Sequence, residues 1–310
     1  MEVHRGYLST IPPSKMHEDE LETDATLVRS LVAAQFPQWA GLPIEPVPSS
    51  GTVNALYRLG DGLVVRLPRA EWGAAGIAKD SAWLPRLAPL VPVEISVPLA
   101  TGRPGEGYPW PWGIYPWLEG EHPSADDSGD ATALAADVAG LVDALRQIDL
   151  PGGRPSRRGA PLAEVQDEDA RDALRRLDGQ IDVAAATTAW NAALAAPPWN
   201  GRSVWVHGDL LPGNLLVRDG RLTGVLDWGS VGVGDPACDL VAAWGALPAR
   251  ARETFRARLD VDDATWARGR GWALSIGLIA LPYYEETNPV FASTARSLIR
   301  EVLADHARAR

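Results

Sequence analysis

Four residues within one stretch of the chain could together manage a phosphate group: His207, Asp209, Asn214 and Asp227, in VHGDLLPGNLLVRDGRLTGVLDWGSVGVGDPACDL between Val206 and Leu240. The pattern H-x-D-x-x-x-x-N, followed by an apolar run that ends in D-W-G, meets the needs of phosphoryl transfer. That reaction takes one carboxylate beside the attacking hydroxyl, and a second carboxylate with an amide to hold the magnesium that neutralises nucleotide phosphates. Asp209 follows the apolar run Val204, Trp205, Val206 and opens a loop containing Pro212 and Gly213, so its side chain stands at a strand end as the candidate base. Asn214 lies far enough along the loop to present its amide oxygen to a hard cation. The runs Asn214 to Val217 and Leu222 to Leu226, joined by Asp219-Gly220, read as a hairpin that returns Asp227 to the side of Asn214. One amide and one carboxylate, completed by phosphate oxygens and water, suffice for Mg²⁺. His207 reads as a buried hydrogen-bonding prop for the loop rather than a proton carrier.

These residues resemble the Brenner-type motif of the aminoglycoside phosphotransferase and choline kinase group, small-molecule kinases that share the protein-kinase fold. HGD-x-x-x-G-N, L-D-W-G in place of D-F-G, and G-D-P-x-x-D-L occur in order and in spacing. The resemblance implies an α+β, two-lobed protein-kinase-like fold, with an antiparallel sheet and a helix in the first lobe and a mainly helical second lobe that carries the catalytic hairpin. It places a nucleotide-binding lobe at residues 1–117 and a catalytic and acceptor-binding lobe at 118–310. It also implies that Asp239 braces the catalytic loop by accepting backbone N–H bonds, and that Asp235 turns the chain with Pro236 and stands in the outer shell of the metal.

The composition suits this class. A chain of 310 residues can bury a large core and divide in two. A formal net charge of -11 argues against nucleic acid as a partner and tilts towards cationic or neutral ligands. Cys238 is the one cysteine, so neither a disulfide framework nor a zinc cluster is expected, and it reads as a small core residue. The N-terminal stretch lacks an apolar signal core, and the apolar run near Ala273 to Leu281 is too short to span a bilayer, so the expected location is the cytoplasm.

The elements that would position these residues can be traced along the chain. Residues 1–20 read as loosely attached. Asp24 reads as the cap of a helix whose apolar positions are Leu27, Val28, Leu31, Val32 and Phe36. Ser49-Ser50-Gly51-Thr52-Val53-Asn54 precedes alternating Val53, Ala55, Tyr57 and Leu59, a Gly60-Asp61-Gly62 turn and Leu63 to Leu67, a β-hairpin with a small polar tip. Small residues there would let the N–H groups of Ser50, Gly51 and Thr52 approach phosphates. On the following strand, where kinases carry a lysine, stands Arg66; the sequence contains only Lys15 and Lys79. A guanidinium can grip phosphate oxygens in the place of an ammonium, with different geometry. Its acidic partner is expected at Asp80 on a helix around Ala74 to Leu87, and Arg69 is expected at the surface. The resemblance assigns the purine-binding hinge to Tyr115, Trp117 and Leu118. The acids Asp126, Asp127 and Asp130 read as solvated.

Leu134, Val138, Leu141, Leu145 and Ile148 form one helical stripe, and Leu150 to Pro161 reads as a mobile connection. Further helices are expected near Leu174 to Ile181, near Phe255, from Trp272 to Leu281 and around Leu298 to Leu303. Tyr283, Tyr284, Glu285 and Glu286, at the end of one of these, could form an acidic, aromatic wall for a cationic hydroxylated ligand, as C-terminal acids do in family members that take aminoglycosides. The expected activity is transfer of the γ-phosphate of ATP or GTP, with Mg²⁺, to a hydroxyl of a small molecule. Antibiotics of aminoglycoside, macrolide or tuberactinomycin type stand first as acceptors, and metabolic sugars or amino alcohols second. A nucleotide-binding pseudokinase is the alternative of another class; Arg66 in place of lysine favours it, and the intact Asp209, Asn214 and Asp227 oppose it.

Overall fold

The computed structural model describes residues 20–49, 51–123 and 131–308. The expectations for residues 1–19, for Ser50 and for Asp126, Asp127 and Asp130 lie outside that range. Asp24, in extended conformation, accepts the Leu27 N–H at 2.7 Å and starts α1 (Ala25–Gln35). Then come β1 (Ile44–Pro46), β2 (Asn54–Leu59), β3 (Leu63–Pro68), α2 (Glu71–Leu87), β4 (Glu94–Ile95), β5 (Ala100–Gly102) and β6 (Trp112–Pro116). Five of the strands form an antiparallel sheet in the order β1-β2-β3-β6-β5.

Side chains alternate across β3 and β6, and both faces are covered. Val65, Leu67, Trp112 and Ile114 pack with Val28, Leu31 and Val32 of α1. Val64 and Tyr115 pack on the opposite side with Ile77 of α2, which is the face that carries Arg66. β1 leads into β2 at one end of the strands, whereas Gly60–Gly62 closes β2–β3 at the other. The polar tip thus belongs to a hairpin whose first strand, Ile44–Pro46, is too short to show a period. Arg69, expected at the surface, is largely covered and ion-paired to Glu20.

The rest is mainly helical: α3 (Ala131–Gln147), α4 (Leu162–Val165), α5 (Asp167–Arg176), α6 (Val183–Ala195), β7 (Val204–Val206), β8 (Leu215–Arg218), β9 (Arg221–Val225), β10 (Gly232–Gly234), α7 (Ala242–Gly245), α8 (Arg252–Leu259), α9 (Asp263–Tyr284) and α10 (Pro289–Arg308). Asp262 caps α9 by accepting the Thr265 N–H at 2.7 Å. Residues buried all round α9, among them Trp266, Trp272, Leu274 and Leu278, make it the central helix of the larger core. Cys238 lies buried in that core. β8 and β9 form the hairpin of the sequence reading, turning at Asp219 and Gly220, both at positive φ. β4 pairs with β9 in parallel, so Glu94–Ile95 contributes to the sheet of the catalytic hairpin. Among the described residues no helix is long and apolar enough to cross a membrane.

The segment 150–161 departs from the mobile connection expected of its Gly, Pro and Arg content. It runs beside β10, with Val233 N–H bonded to Arg154 O at 2.9 Å, Ser156 N–H to Val233 O at 3.0 Å and Asp235 N–H to Gly159 O at 2.9 Å. The glycines are what permit this approach, because a Cβ on Gly234 would stand 2.5 Å from the Gly159 carbonyl oxygen.

Candidate active site

The loop after β7 is tied from three sides. Asp239, 1% exposed, accepts the His207 N–H at 2.9 Å and the Gly208 N–H at 2.6 Å with its two oxygens. His207 is wholly buried edge-on against Trp228, with ring centroids 4.6 Å apart. Its Nδ1 accepts the Asp209 N–H at 3.2 Å, and its Nε2 lies 3.1 Å from the Leu226 carbonyl. A carbonyl can only accept, so Nε2 carries the proton and the imidazole is the neutral tautomer. Burial pushes the His207 pKa down to about 4, against the pull of Asp227 and the Leu226 carbonyl. This ring bridges the residue before Asp227 to the backbone of Asp209.

Asn214 holds the other side of the loop. Its Nδ2 donates to the Asp209 carbonyl and to Asp209 Oδ2, both at 2.8 Å, which turns Oδ1 away from Asp209. The Leu226 N–H bonds to the Asn214 carbonyl at 2.8 Å, closing the hairpin immediately before Asp227. Asp227 itself is left-handed, at φ 53 and ψ 74, and accepts the Gly229 N–H at 3.2 Å. That conformation is disfavoured for a side-chain-bearing residue and turns the carboxylate out of the strand direction. An amide oxygen and a carboxylate therefore flank the hairpin's open end. Both are hard oxygen donors, and the donor set fits Mg²⁺ shared with phosphate oxygens. Burial raises the Asp209 pKa to about 6, with Asp227 adding to the rise and Arg158 and the Asn214 amide opposing it.

Arg66 and Asp80 meet beneath the sheet. Arg66 Nη1 is 3.8 Å from Asp80 Oδ2, which also accepts the Tyr115 hydroxyl at 3.0 Å. The guanidinium lies over the Tyr115 ring, 4.2 Å from its centroid. Gly113, paired with Arg66 across β3 and β6, leaves room for this ring, since a Cβ there would fall 2.4 Å from it. Burial raises the Asp80 pKa to about 6 against the pull of Arg66 and Tyr115, and Asp80 Oδ1 is buried with no hydrogen-bond partner.

The remaining sequence-derived residues are placed as follows. In the β1–β2 turn, the Gly51 N–H bonds to Ser49 Oγ at 2.9 Å, and Thr52 hydrogen-bonds the Tyr284 side chain. Tyr284 thereby joins the tip to the end of α9, where it also meets Phe291 and Tyr283 edge-on. Tyr283 is half exposed, Glu285 is ion-paired to Arg296 of α10, and Glu286 is exposed, so of the expected wall Tyr284 is the residue tied to the segment that precedes β2. At the expected hinge, Tyr115 turns its side chain towards α2. The Trp117 N–H bonds to Gly62 O at 2.8 Å, and Leu118 lies over Gly224 of β9. Asp235 does turn the chain, accepting the Ala237 N–H at 2.9 Å, but its carboxylate is committed to Arg268 of α9 at 2.6 Å rather than to the outer shell of a metal.

Two cations escaped the sequence reading. Lys79 of α2 donates to the Gly229 carbonyl at 2.7 Å and is electrostatically coupled to Asp80 and Asp227. Arg158 lowers the Asp209 pKa; its Cβ stands 3.0 Å from where a side chain on Gly208 would begin, and its guanidinium lies 5.8 Å from the Trp272 ring centroid. Neither carried a motif, and each is brought in by a segment distant from Asp209 in the sequence.

Comparisons with known proteins agree with this arrangement. The Uncharacterized protein YcbJ of Bacillus subtilis (strain 168) is 30% identical over 159 residues, and the match spans 48% of this chain and 48% of that protein. Among solved structures, the GDP and kanamycin complex of APH(2")-IIIa superposes with a TM-score of 0.69 at 18% identity, covering 90% of this chain and 98% of that one. The macrolide 2'-phosphotransferase MphH from Brachybacterium faecium, as the apoenzyme, gives 0.57 at 23% identity, covering 88% and 97%. Residues 44–272 match the APH family, described as the Phosphotransferase enzyme family; that range takes in the segment before β2, Arg66, Asp80 and the whole stretch from His207 to Asp239, and the chain belongs to that family.

Proposed function

We propose that this chain transfers the γ-phosphate of a purine nucleoside triphosphate to a hydroxyl of a small molecule of the antibiotic class. The observation that carries the reading is the convergence of Asp209, Asn214 and Asp227 at one end of the β8–β9 hairpin, each held by bonds to its neighbours. Asp209 orients the acceptor hydroxyl and takes its proton as the oxygen attacks the γ-phosphorus. The bond from that phosphorus to the bridging oxygen breaks, and the nucleoside diphosphate leaves. Asn214 Oδ1 and the Asp227 carboxylate would hold magnesium, which when bound neutralises charge on the phosphate oxygens. Arg66, held by Asp80 and Tyr115, ties β3 to α2 beneath the sheet. The solved relatives named above, one with GDP and kanamycin and one a macrolide enzyme, support the donor and acceptor classes by fold.

A metabolic acceptor is the second reading, and specific contacts favour it. Glu285 is engaged by Arg296, and Arg158 brings positive charge towards Asp209, both of which weaken the case for a polycationic ligand. Nucleoside diphosphate release measured across aminoglycosides, macrolides, tuberactinomycin-type peptides and simple amino alcohols, with ATP and GTP in parallel, separates the two. Turnover confined to amino alcohols or sugars would overturn the antibiotic assignment, and absence of turnover with every acceptor and both donors would overturn the phosphotransferase reading.

A further inference from the structure

The strand cation of this site does not reach the metal turn. Arg66 is 8% exposed, stacked on Tyr115 and paired with Asp80, so its guanidinium is spent on the sheet and on α2. Lys79 stands one residue before Asp80 on the same helix, yet it points elsewhere. Its Nζ donates at 2.7 Å to the carbonyl of Gly229, two residues beyond Asp227 and 150 residues away in the chain. The turn it grips begins at a left-handed aspartate and is closed internally by the Gly229 N–H bond to Asp227 at 3.2 Å, long for a charge-assisted hydrogen bond. Such a turn has alternatives close in energy, because the left-handed region is disfavoured for a residue that bears a Cβ.

We propose that Lys79 is a positioning residue: its ammonium clamps the Asp227–Gly229 turn to α2 and so aims the Asp227 carboxylate at the place it shares with Asn214 Oδ1. The division of labour follows from the two reaches. Arg66 fixes α2 to the sheet, and Lys79 fixes the metal turn to α2, so the helix carries both groups into register with one another. The inference rests on the phosphotransferase reading, since it supposes that Asp227 holds a cation against a nucleotide.

The test is nucleotide binding by the full chain, measured calorimetrically with a non-hydrolysable ATP analogue in excess Mg²⁺ and again in EDTA, for the parent protein, Lys79→Met and Lys79→Arg. Loss of one charged hydrogen bond at the turn should weaken binding about tenfold for Lys79→Met in Mg²⁺ and leave the EDTA affinity within about twofold. Lys79→Arg should recover most of the loss, because a guanidinium can still donate to the carbonyl. The melting temperature without nucleotide should stay within ~3 °C, as expected of a partly exposed position. Equal Mg²⁺ dependence in Lys79→Met and the parent overturns the clamp. An equal loss with and without Mg²⁺ also overturns it, in favour of direct phosphate contact. Should Lys79→Met fail to fold, Lys79→Arg and Lys79→Gln decide: the clamp requires that arginine keep the Mg²⁺ dependence and glutamine lose it. A parent protein that binds no nucleotide in either buffer overturns the phosphotransferase reading itself, a result distinct from the others.

Discussion

His207 offers a measurement that isolates one side chain in a crowded site. Both ring nitrogens are committed, Nδ1 as acceptor for the Asp209 N–H and Nε2 as donor to the Leu226 carbonyl. Protonation would place a second N–H against the Asp209 N–H, in a site with no exposure to water. The folded protein therefore binds this proton less readily than the unfolded chain, with the pKa falling from 6.5 to about 4. The sign follows from linkage: between those values the unfolded state carries more protons, so the stabilising contribution is fully present above pH 6.5 and is lost as pH falls towards 4. At ~1.4 kcal/mol per pKa unit the loss amounts to about 3 kcal/mol. The perturbation is His207→Gln, which keeps a donor and an acceptor but does not titrate. Urea denaturation of parent and variant at pH 7, 6, 5 and 4 gives the difference in unfolding free energy at each pH. Asp80, Asp209 and Asp239, whose carboxyls burial raises to about 6, act in the opposite direction, their stabilisation being lost as pH rises through 6. They are present in both proteins, so the comparison removes their part. The parent should lose about 3 kcal/mol more than the variant between pH 7 and pH 4. Parallel curves would refute the neutral, doubly bonded imidazole.

Asp209→Ala should bind magnesium-nucleotide as the parent does and lose turnover by about a thousandfold or more, while Asp227→Ala should weaken nucleotide binding itself. Near-parental turnover by Asp209→Ala would remove Asp209 as the base. Arg66→Met should destabilise the fold by about 3–5 kcal/mol in thermal or urea melts, because it removes the ion-pair partner of the buried Asp80, whose Oδ1 already lacks a hydrogen-bond partner. Arg158→Ala should raise KM for a neutral or anionic acceptor and lower it for a polycationic one, and an unchanged KM for every acceptor would place Arg158 outside acceptor recognition. Gly234→Ala should force segment 154–159 off β10, with ~1–3 kcal/mol of destabilisation and faster amide exchange at Ser156 and Asp235.

What could be read from the sequence was local. The Asp24 cap, the Asp219-Gly220 turn and the apolar periods of α1, α3 and α10 all act within a few residues, so pattern alone locates them. Strand β1 was not legible because three residues hold no period, and its absence from the reading misplaced the polar tip onto the wrong hairpin. The ordered path of the 150–161 segment is hidden in the sequence for a related reason. Its glycines serve close contact with Gly234 and β10, a partner about 75 residues away, and composition registers the glycines without the partner. Arg69 erred in the same way, since Glu20 lies 49 residues before it. Lys79 carries no signature of its role in the sequence, because it stands on a helix and not on the strand where kinases carry a lysine, and a contact 150 positions away leaves no trace in a local pattern.

The charges themselves explain why these distant segments must converge. Asp227 lies close enough to Asp80 and to Asp209 to raise the pKa of each, so the three carboxylates would repel one another if left alone. Each is met by a cation from a different element: Arg66 of β3 at Asp80, Lys79 of α2 beside Asp227, and Arg158 of the segment along β10 facing Asp209. No single stretch could supply all three, because the carboxylates themselves come from α2, the catalytic loop and the end of β9. Removing one cation should therefore be felt beyond its own partner, as repulsion no longer offset among the other two acids. On the proposed reading, a magnesium-nucleotide complex would join charges of alternating sign that the protein has already assembled, and a cation held by Asn214 and Asp227 would lessen the repulsion on Asp209 and Asp80 together.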